Sequence, residues 1–106
     1  MAGVITGNVQ SMSVVSVTLS PSIVATITTS TQAFTVPGVL ATDACIHVSK
    51  PTAQTGLGIA GVRVSGNNEV SITFINPTAG GITPTAAEVY RFCIVRPDSV
   101  QTGFAV

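Results

Sequence analysis

Apolar and polar residues alternate along most of this 106-residue chain. The alternation is clearest at 70–75 (VSITFI) and at 89–95 (VYRFCIV). Strict alternation predicts half-buried strands with one face toward a core. Val, Ile and Thr dominate these runs, and their branched Cβ atoms suit a pleated sheet better than a helix. The pattern therefore predicts an almost wholly β protein.

Turn residues divide the pattern into short segments. Pro21, Pro51 and the Pro37-Gly38 pair interrupt the runs, and Gly66-Asn67 separates two runs as the turn of a tight hairpin. About seven strands are predicted, at 14–19, 23–28, 33–36, 45–50, 57–65, 68–76 and 87–96. Strands of this length, with turns roughly every ten residues, are typical of an antiparallel β-sandwich or small barrel, Ig-like or jelly-roll.

The length leaves room for one domain. We assign residues 14–106 to that domain. Residues 1–13 have early glycines and weak periodicity, which favours an extended N-terminal arm that is ordered by contact with a neighbour.

Charged side chains are scarce, and this is the most informative feature of the composition. They make up 8% of the chain, against about 25% in a typical soluble domain. The net charge is zero and the mean hydropathy is +0.59. Charge keeps free proteins dispersed in solution. With so little charge, either other subunits cover the surface, or the chain is a stable β domain whose Thr and Ser hydroxyls bind water. Both explanations favour a structural or binding role over catalysis.

The sequence also argues against several classes of partner. No apolar run reaches the ~18–20 residues that span a bilayer, and no basic patch is present to bind nucleic acid. We therefore expect neither a membrane nor a nucleic-acid partner. The start, Met1–Val4, has no basic region before an apolar run, which predicts a protein made and used in a cytoplasm.

Candidate chemistry is sparse. His47 is the sole histidine, no G-x-S-x-G is present, and the acids stand singly, so neither a catalytic triad nor a carboxylate pair is predicted. We expect no catalytic residue, cofactor or metal, and no enzyme. Cys45 and Cys93 are expected to be buried, unpaired thiols, with a disulfide or a metal site as alternatives.

Two arginines interrupt apolar strand faces. Arg91 shares its predicted face with Val89, Cys93 and Val95, and Arg63 lies between two valines. Such an arginine pairs with a carboxylate of its own subunit or reaches across a subunit boundary. We predict Arg63, Arg91 and Phe104 as subunit-interface residues.

Three segments carry a family resemblance: TVPGVLATDACIHVSKP, GLGIAGVRVSGNNEVSITFINPTAG and ITPTAAEVYRFCIVRP. Over about residues 35–96 the chain resembles small β-rich virion proteins of tailed bacteriophages. The resemblance implies a virion component and leaves a position on the head, on the tail or at a receptor-binding tip open. Because some such proteins are capsid decoration or cement proteins, we expect one that binds the major capsid protein on the outside of the head. The resemblance further implies a homo-oligomer, with a trimer favoured, located in the virion.

A second expectation is a carbohydrate- or receptor-binding β module of a tail or fibre. Sandwiches often bind sugars through loop tips or exposed aromatic rings. The chain has no Trp and few other aromatic residues, which makes this the weaker alternative.

Overall fold

The computed structural model describes residues 8–98 and contains six strands and no helix within them. The strands are β1 (Val9–Leu19), β2 (Thr28–Thr35), β3 (Ala44–Ser49), β4 (Gly58–Gly66), β5 (Glu69–Asn76) and β6 (Glu88–Pro97).

The strands form two antiparallel three-stranded sheets. The first sheet has the order β1-β6-β3, and the second has the order β2-β5-β4. β6 and β5 are therefore the central strands, and each binds a neighbour along both edges. The architecture confirms the predicted all-β antiparallel sandwich.

The core lies between the two central strands. Val70, Ile72 and Phe74 of β5 are fully buried, and so are Tyr90 and Phe92 of β6. These residues occupy alternate positions, as the period of a strand requires. The outer strands and loops complete this layer with the remaining buried apolar residues, which are Leu19, Val24, Val36, Val39, Val48 and Ile94.

The hairpin between β4 and β5 is confirmed, with its turn one residue later than predicted. Asn67 and Asn68 form the turn, and Asn68 adopts a positive φ of 60°, which asparagine tolerates well. The Asn68 side-chain oxygen accepts a hydrogen bond from the Gly38 backbone N–H at 2.8 Å. The Asn67 oxygen accepts one from the Ala41 N–H at 2.8 Å. The turn thus fixes the loop between β2 and β3.

An ion pair fastens the same loop to β6. The Asp43 carboxylate is buried, and it accepts hydrogen bonds from Arg96 Nε at 3.0 Å and Arg96 Nη2 at 2.8 Å. Arg96 Nη2 also donates to the Gly38 carbonyl at 2.7 Å, and the Leu40 N–H donates to Asp43. The hydrogen bonds from Arg96 lower the pKa of Asp43 below its usual value.

Asn76 performs the equivalent role at the opposite end of the sandwich. Its fully buried amide donates to the carbonyls of Val24 at 3.0 Å and Gly80 at 2.8 Å, and its oxygen accepts from Thr78. One side chain at the end of β5 therefore satisfies backbone groups of two loops. Buried polar atoms need such partners because leaving one unpaired costs about 1–3 kcal/mol.

The strand predicted at 23–28 is wrong over 23–27. This segment is a loop in which Val24 forms a single bridge with Ile82, while Ile23 and Ile27 are exposed. Ile27 has a positive φ of 49°, and this conformation ends the extended chain just before β2. Alternation alone misassigned the segment because its apolar residues do not share a buried face: Val24 is the one buried residue of 23–27.

The boundary of the predicted arm also differs. β1 begins at Val9, and Val9–Ser13 pair with β6 as part of the first sheet. Residues 9–13 therefore belong to the sandwich. Residues 1–7 of the arm lie outside the described residues, as do residues 99–106 of the tail.

The Asp43–Arg96 pair predicts acid sensitivity. Because folding lowers the pKa of Asp43, its stabilising contribution is present above the usual carboxyl pKa and is lost as pH falls through the folded value. Asp43→Asn should destabilise the protein by about 2 kcal/mol at neutral pH, and the difference from the parent should shrink in acid. Asp98→Asn, at an exposed acid, is the control, and denaturant unfolding at several pH values measures both. An equal effect at every pH would contradict this prediction.

The buried hydroxyl of Tyr90 should make the protein less stable at alkaline pH. The hydroxyl has no hydrogen-bond partner within residues 8–98, and burial, followed by the Glu88 carboxylate, raises the pKa of Tyr90 to about 12. In the unfolded chain the tyrosine ionises near 10.0. The free energy of unfolding should therefore fall as pH rises from about 10 to about 12. Tyr90 is the only tyrosine, so tyrosinate absorbance reports this group alone.

Tyr90→Phe removes the unpaired hydroxyl. We expect it to be neutral or to stabilise by about 1 kcal/mol at neutral pH, and to abolish the alkaline loss. Phe74→Leu, at an equally buried ring on the facing sheet, should cost about 1 kcal/mol and leave that alkaline loss in place. Clear destabilisation by Tyr90→Phe would reveal a partner for the hydroxyl.

Candidate interaction surface

The outer face of the first sheet is apolar, although it faces away from the core. Its exposed side chains include Val14 (68% exposed), Met12 (63%), Ile46 (59%) and Val89 (43%). Val95 and Cys93, both half-buried, lie between them on β6. We call these six residues the apolar face. Single exposed apolar residues are ordinary, but a contiguous group of them is typical of an interaction site.

Strand alternation builds this face. On β6, Tyr90, Phe92 and Ile94 point into the core, so the residues between them point outward. On β1, Val14 lies opposite Cys93 and Met12 lies opposite Val95. The outer face of the first sheet therefore carries apolar side chains on β1 and β6, with the Ser16–Arg91 pair between Val89 and the rest. In a sheet with one solvated side, the outer face is normally polar.

A bulge in β3 brings Ile46 to this surface. The sequence places Ile46 on the same face as Val48, which is buried. However, the register shifts between Cys45 and His47, and Ile46 is the extra residue. Because a bulge inserts one unpaired residue, Cys45 packs against the core and Ile46 is exposed. Ile46 is therefore exposed while Val48 is buried, although both line a cavity between β3 and β4.

Arg91 is the one charged residue on the outward side of β1, β3 and β6. It lies opposite Ser16 on β1 and opposite Ser49 on β3. No carboxylate of residues 8–98 pairs with it. The predicted pairing within the subunit is therefore not formed there, and the predicted reach across a subunit boundary stays a proposal.

The positions of the acids explain why Arg91 has no carboxylate partner among residues 8–98. The chain has four acids. Asp43 binds Arg96, and Glu88 lies 2.9 Å from Lys50 Nζ. The hydrogen bond from Thr52, followed by that from Lys50, lowers the pKa of Glu88. Glu69 accepts a hydrogen bond from Ser65, and Asp98 lies beyond β6.

The outer face of the second sheet has a different chemistry. Its strands present hydroxyl groups, and Thr31 Oγ1 lies 2.9 Å from Thr73 Oγ1 across β2 and β5. Ser71 Oγ donates to Ser65 Oγ at 2.8 Å. Hydroxyls bonded to one another still bind water at their remaining sites. The sandwich thus has one polar outer face and one apolar outer face.

The two predicted interface residues that the structure describes, Arg63 and Arg91, lie on different sheets. Arg91 lies beside the apolar face, and Arg63 is exposed on β4, opposite Ser71, on the outer face of the second sheet. Phe104 lies outside the described residues. Met12 and Val14 were not predicted as interface residues, because the predicted boundary between arm and domain fell between them. The adjacent pair Val14-Val15 is the signal that both faces of β1 are apolar.

The residues considered for catalysis and metal binding remain apart. His47 is exposed on β3 opposite Cys93, and Asp43, the acid nearest to it in sequence, is occupied by Arg96. Cys45 and Cys93 are free thiols, half-buried rather than buried; burial raises the pKa of Cys45. Residues 8–98 contain no group of three or more metal-ligating side chains, and no helix there is long and apolar enough to cross a membrane.

Comparison with known proteins adds no relative. No protein-family model matches the chain, and no curated protein or solved structure matches it.

Proposed function

We propose that the chain is a structural protein of a tailed-bacteriophage virion. In this proposal it binds the major capsid protein on the outside of the head as a small homo-oligomer, a decoration or cement protein assembled in the bacterial cytoplasm. The apolar face is the observation that carries the proposal. The sparse charge of the whole chain and the resemblance over residues 35–96 support it.

The energetics favour attachment at many sites over one tight contact. Completing the burial of four partly exposed Val, Ile or Met side chains contributes roughly 1 kcal/mol each. That sum is comparable to the cost of bringing two proteins together, so one copy binds weakly. Repetition across a shell and linkage within an oligomer raise the overall affinity. Arg91 then pairs with a carboxylate of the partner surface, because its own subunit offers none among the described residues.

The sugar-binding alternative receives less support. Stacking on a sugar needs an exposed ring, but Phe74, Tyr90 and Phe92 are fully buried and Phe34 is half-buried. No other aromatic residue lies within 8–98. We therefore retain the structural role as the proposal.

The protein content of purified virions tests the broad proposal. Virions of the phage whose genome encodes the chain should contain it in many copies, and particle imaging should place it on the outer surface of the head. Absence from purified virions, or a position on the tail, would contradict the proposal.

Substitutions then test the surface. Ile46→Lys and Val89→Lys should each weaken binding to shells lacking the protein by about tenfold or more, because a charge replaces buried apolar area. Co-sedimentation with such shells measures the binding. Both variants should unfold at the parent's denaturant concentration, since both positions are exposed.

Ala33→Lys is the matched control. Ala33 is exposed on β2, opposite Ser71, on the outer face of the second sheet. The substitution adds the same charge to a small apolar residue, and binding should be unchanged. Equal loss of binding in all three variants would show that net charge matters and the apolar face does not.

A further inference from the structure

β1 forms an open edge of the first sheet, and no strand of the described residues pairs with its free side. Its sequence, VQSMSVVSVTL, has no charged residue, Gly or Pro. From Ser11 to Leu19 its register with β6 is unbroken. A long, regular and uncharged edge offers unpaired N–H and C=O groups to another strand, and proteins normally protect such an edge.

The other three edges carry such protection. β3 has a bulge at Cys45/His47, and β4 has two bulges and Arg63. β3 and β4 also lie beside each other, and residues 46–48 and 59–62 line the cavity of about 210 Å³ between them. On β2, the Gln32 side chain exchanges two hydrogen bonds with the backbone of Ser22, so that the loop before β2 lies along this edge. β1 has an irregularity only at its start, between Val9 and Ser11, and from Ser11 to Leu19 it is the one long, regular, unprotected edge within residues 8–98.

We propose that β1 pairs antiparallel with β1 of a second copy, about a two-fold axis near Val14. Val14 is the midpoint of Val9–Leu19, so this register pairs Ser11–Val17, which lies within the regular part of the strand. The two first sheets become one sheet of the order β3-β6-β1-β1-β6-β3. The proposal rests on the proposed function, because it specifies the contact within the homo-oligomer.

The chemistry of β1 suits a second copy of itself. Two-fold pairing about Val14 places Val14 against Val14, Ser13 against Val15, and Met12 against Ser16. None of these pairs opposes like charges, and apolar and hydroxyl pairs across strands are favourable. Antiparallel pairing is also what two copies of one strand adopt about a two-fold axis perpendicular to the sheet.

Pairing also closes the assembly. Each copy uses its one unprotected edge, so growth stops at two chains and does not continue as a fibre. This matters for a chain of zero net charge, in which little electrostatic repulsion opposes aggregation. The apolar faces of the two copies join across the paired β1 strands, so that one dimer presents both to the same partner surface.

Charge exchange at Val14 tests the pairing. Sedimentation equilibrium of the parent chain should give the mass of two chains. Val14→Lys and Val14→Asp should each give the mass of one, because like charges then meet across the axis. An equimolar mixture of the two variants should return to the mass of two, since opposite charges now meet. Val14 is exposed, so both variants should fold.

Ile46→Lys is the matched control, since Ile46 is similarly exposed but lies on β3, at the other edge of the sheet. It should keep the mass of two chains. A parent mass of one chain, or of the three that the resemblance implies, would overturn the pairing. So would a dimer that both Val14 variants leave intact. A dimer that shows the charge-exchange pattern but binds no shell would contradict the proposed function and leave the pairing standing.

Discussion

The burial of β5 against β6 is the interaction on which the rest of the structure depends. These central strands supply the largest fully buried side chains, Tyr90, Phe74 and Phe92. Each strand also hydrogen-bonds to neighbours along both edges, so both sheets are organised around them. A chain of this length buries only about two thirds of its unfolded surface. Few residues therefore form the core, and each has a large effect on stability.

Polar side chains fix the loops at both ends of this apolar layer. Asp43 and Arg96 join the loop before β3 to the end of β6, and the asparagines of the β4–β5 turn bind the same loop. Asn76 joins two loops at the other end. Two of the four acids, Asp43 and Glu88, thus form ion pairs within the subunit. This use of charge leaves the outer faces almost uncharged and leaves Arg91 without a partner among the described residues.

The two outer faces of the sandwich differ in chemistry, and each suits a different environment. The hydroxyl-rich second sheet can face water, while the apolar face and the open edge of β1 lie together on the first sheet. Edge and face are perpendicular directions of one sheet, so a neighbour paired through the edge leaves the face free. The two proposals therefore use different parts of the first sheet and are compatible. Neither requires a change in the fold.

The sequence by itself determined the strand character, the β4–β5 hairpin and the inward residues of β5 and β6, because alternation and turn chemistry are local properties. It did not determine the loop at 23–27, where Val24 alternates like a strand residue but bonds to a distant loop residue, Ile82. Nor could it show that Arg96, not Arg91, binds Asp43, or that a bulge exposes Ile46. Only the tertiary structure decided which apolar side chains stayed outside, because that depends on which strands share a sheet and on their register.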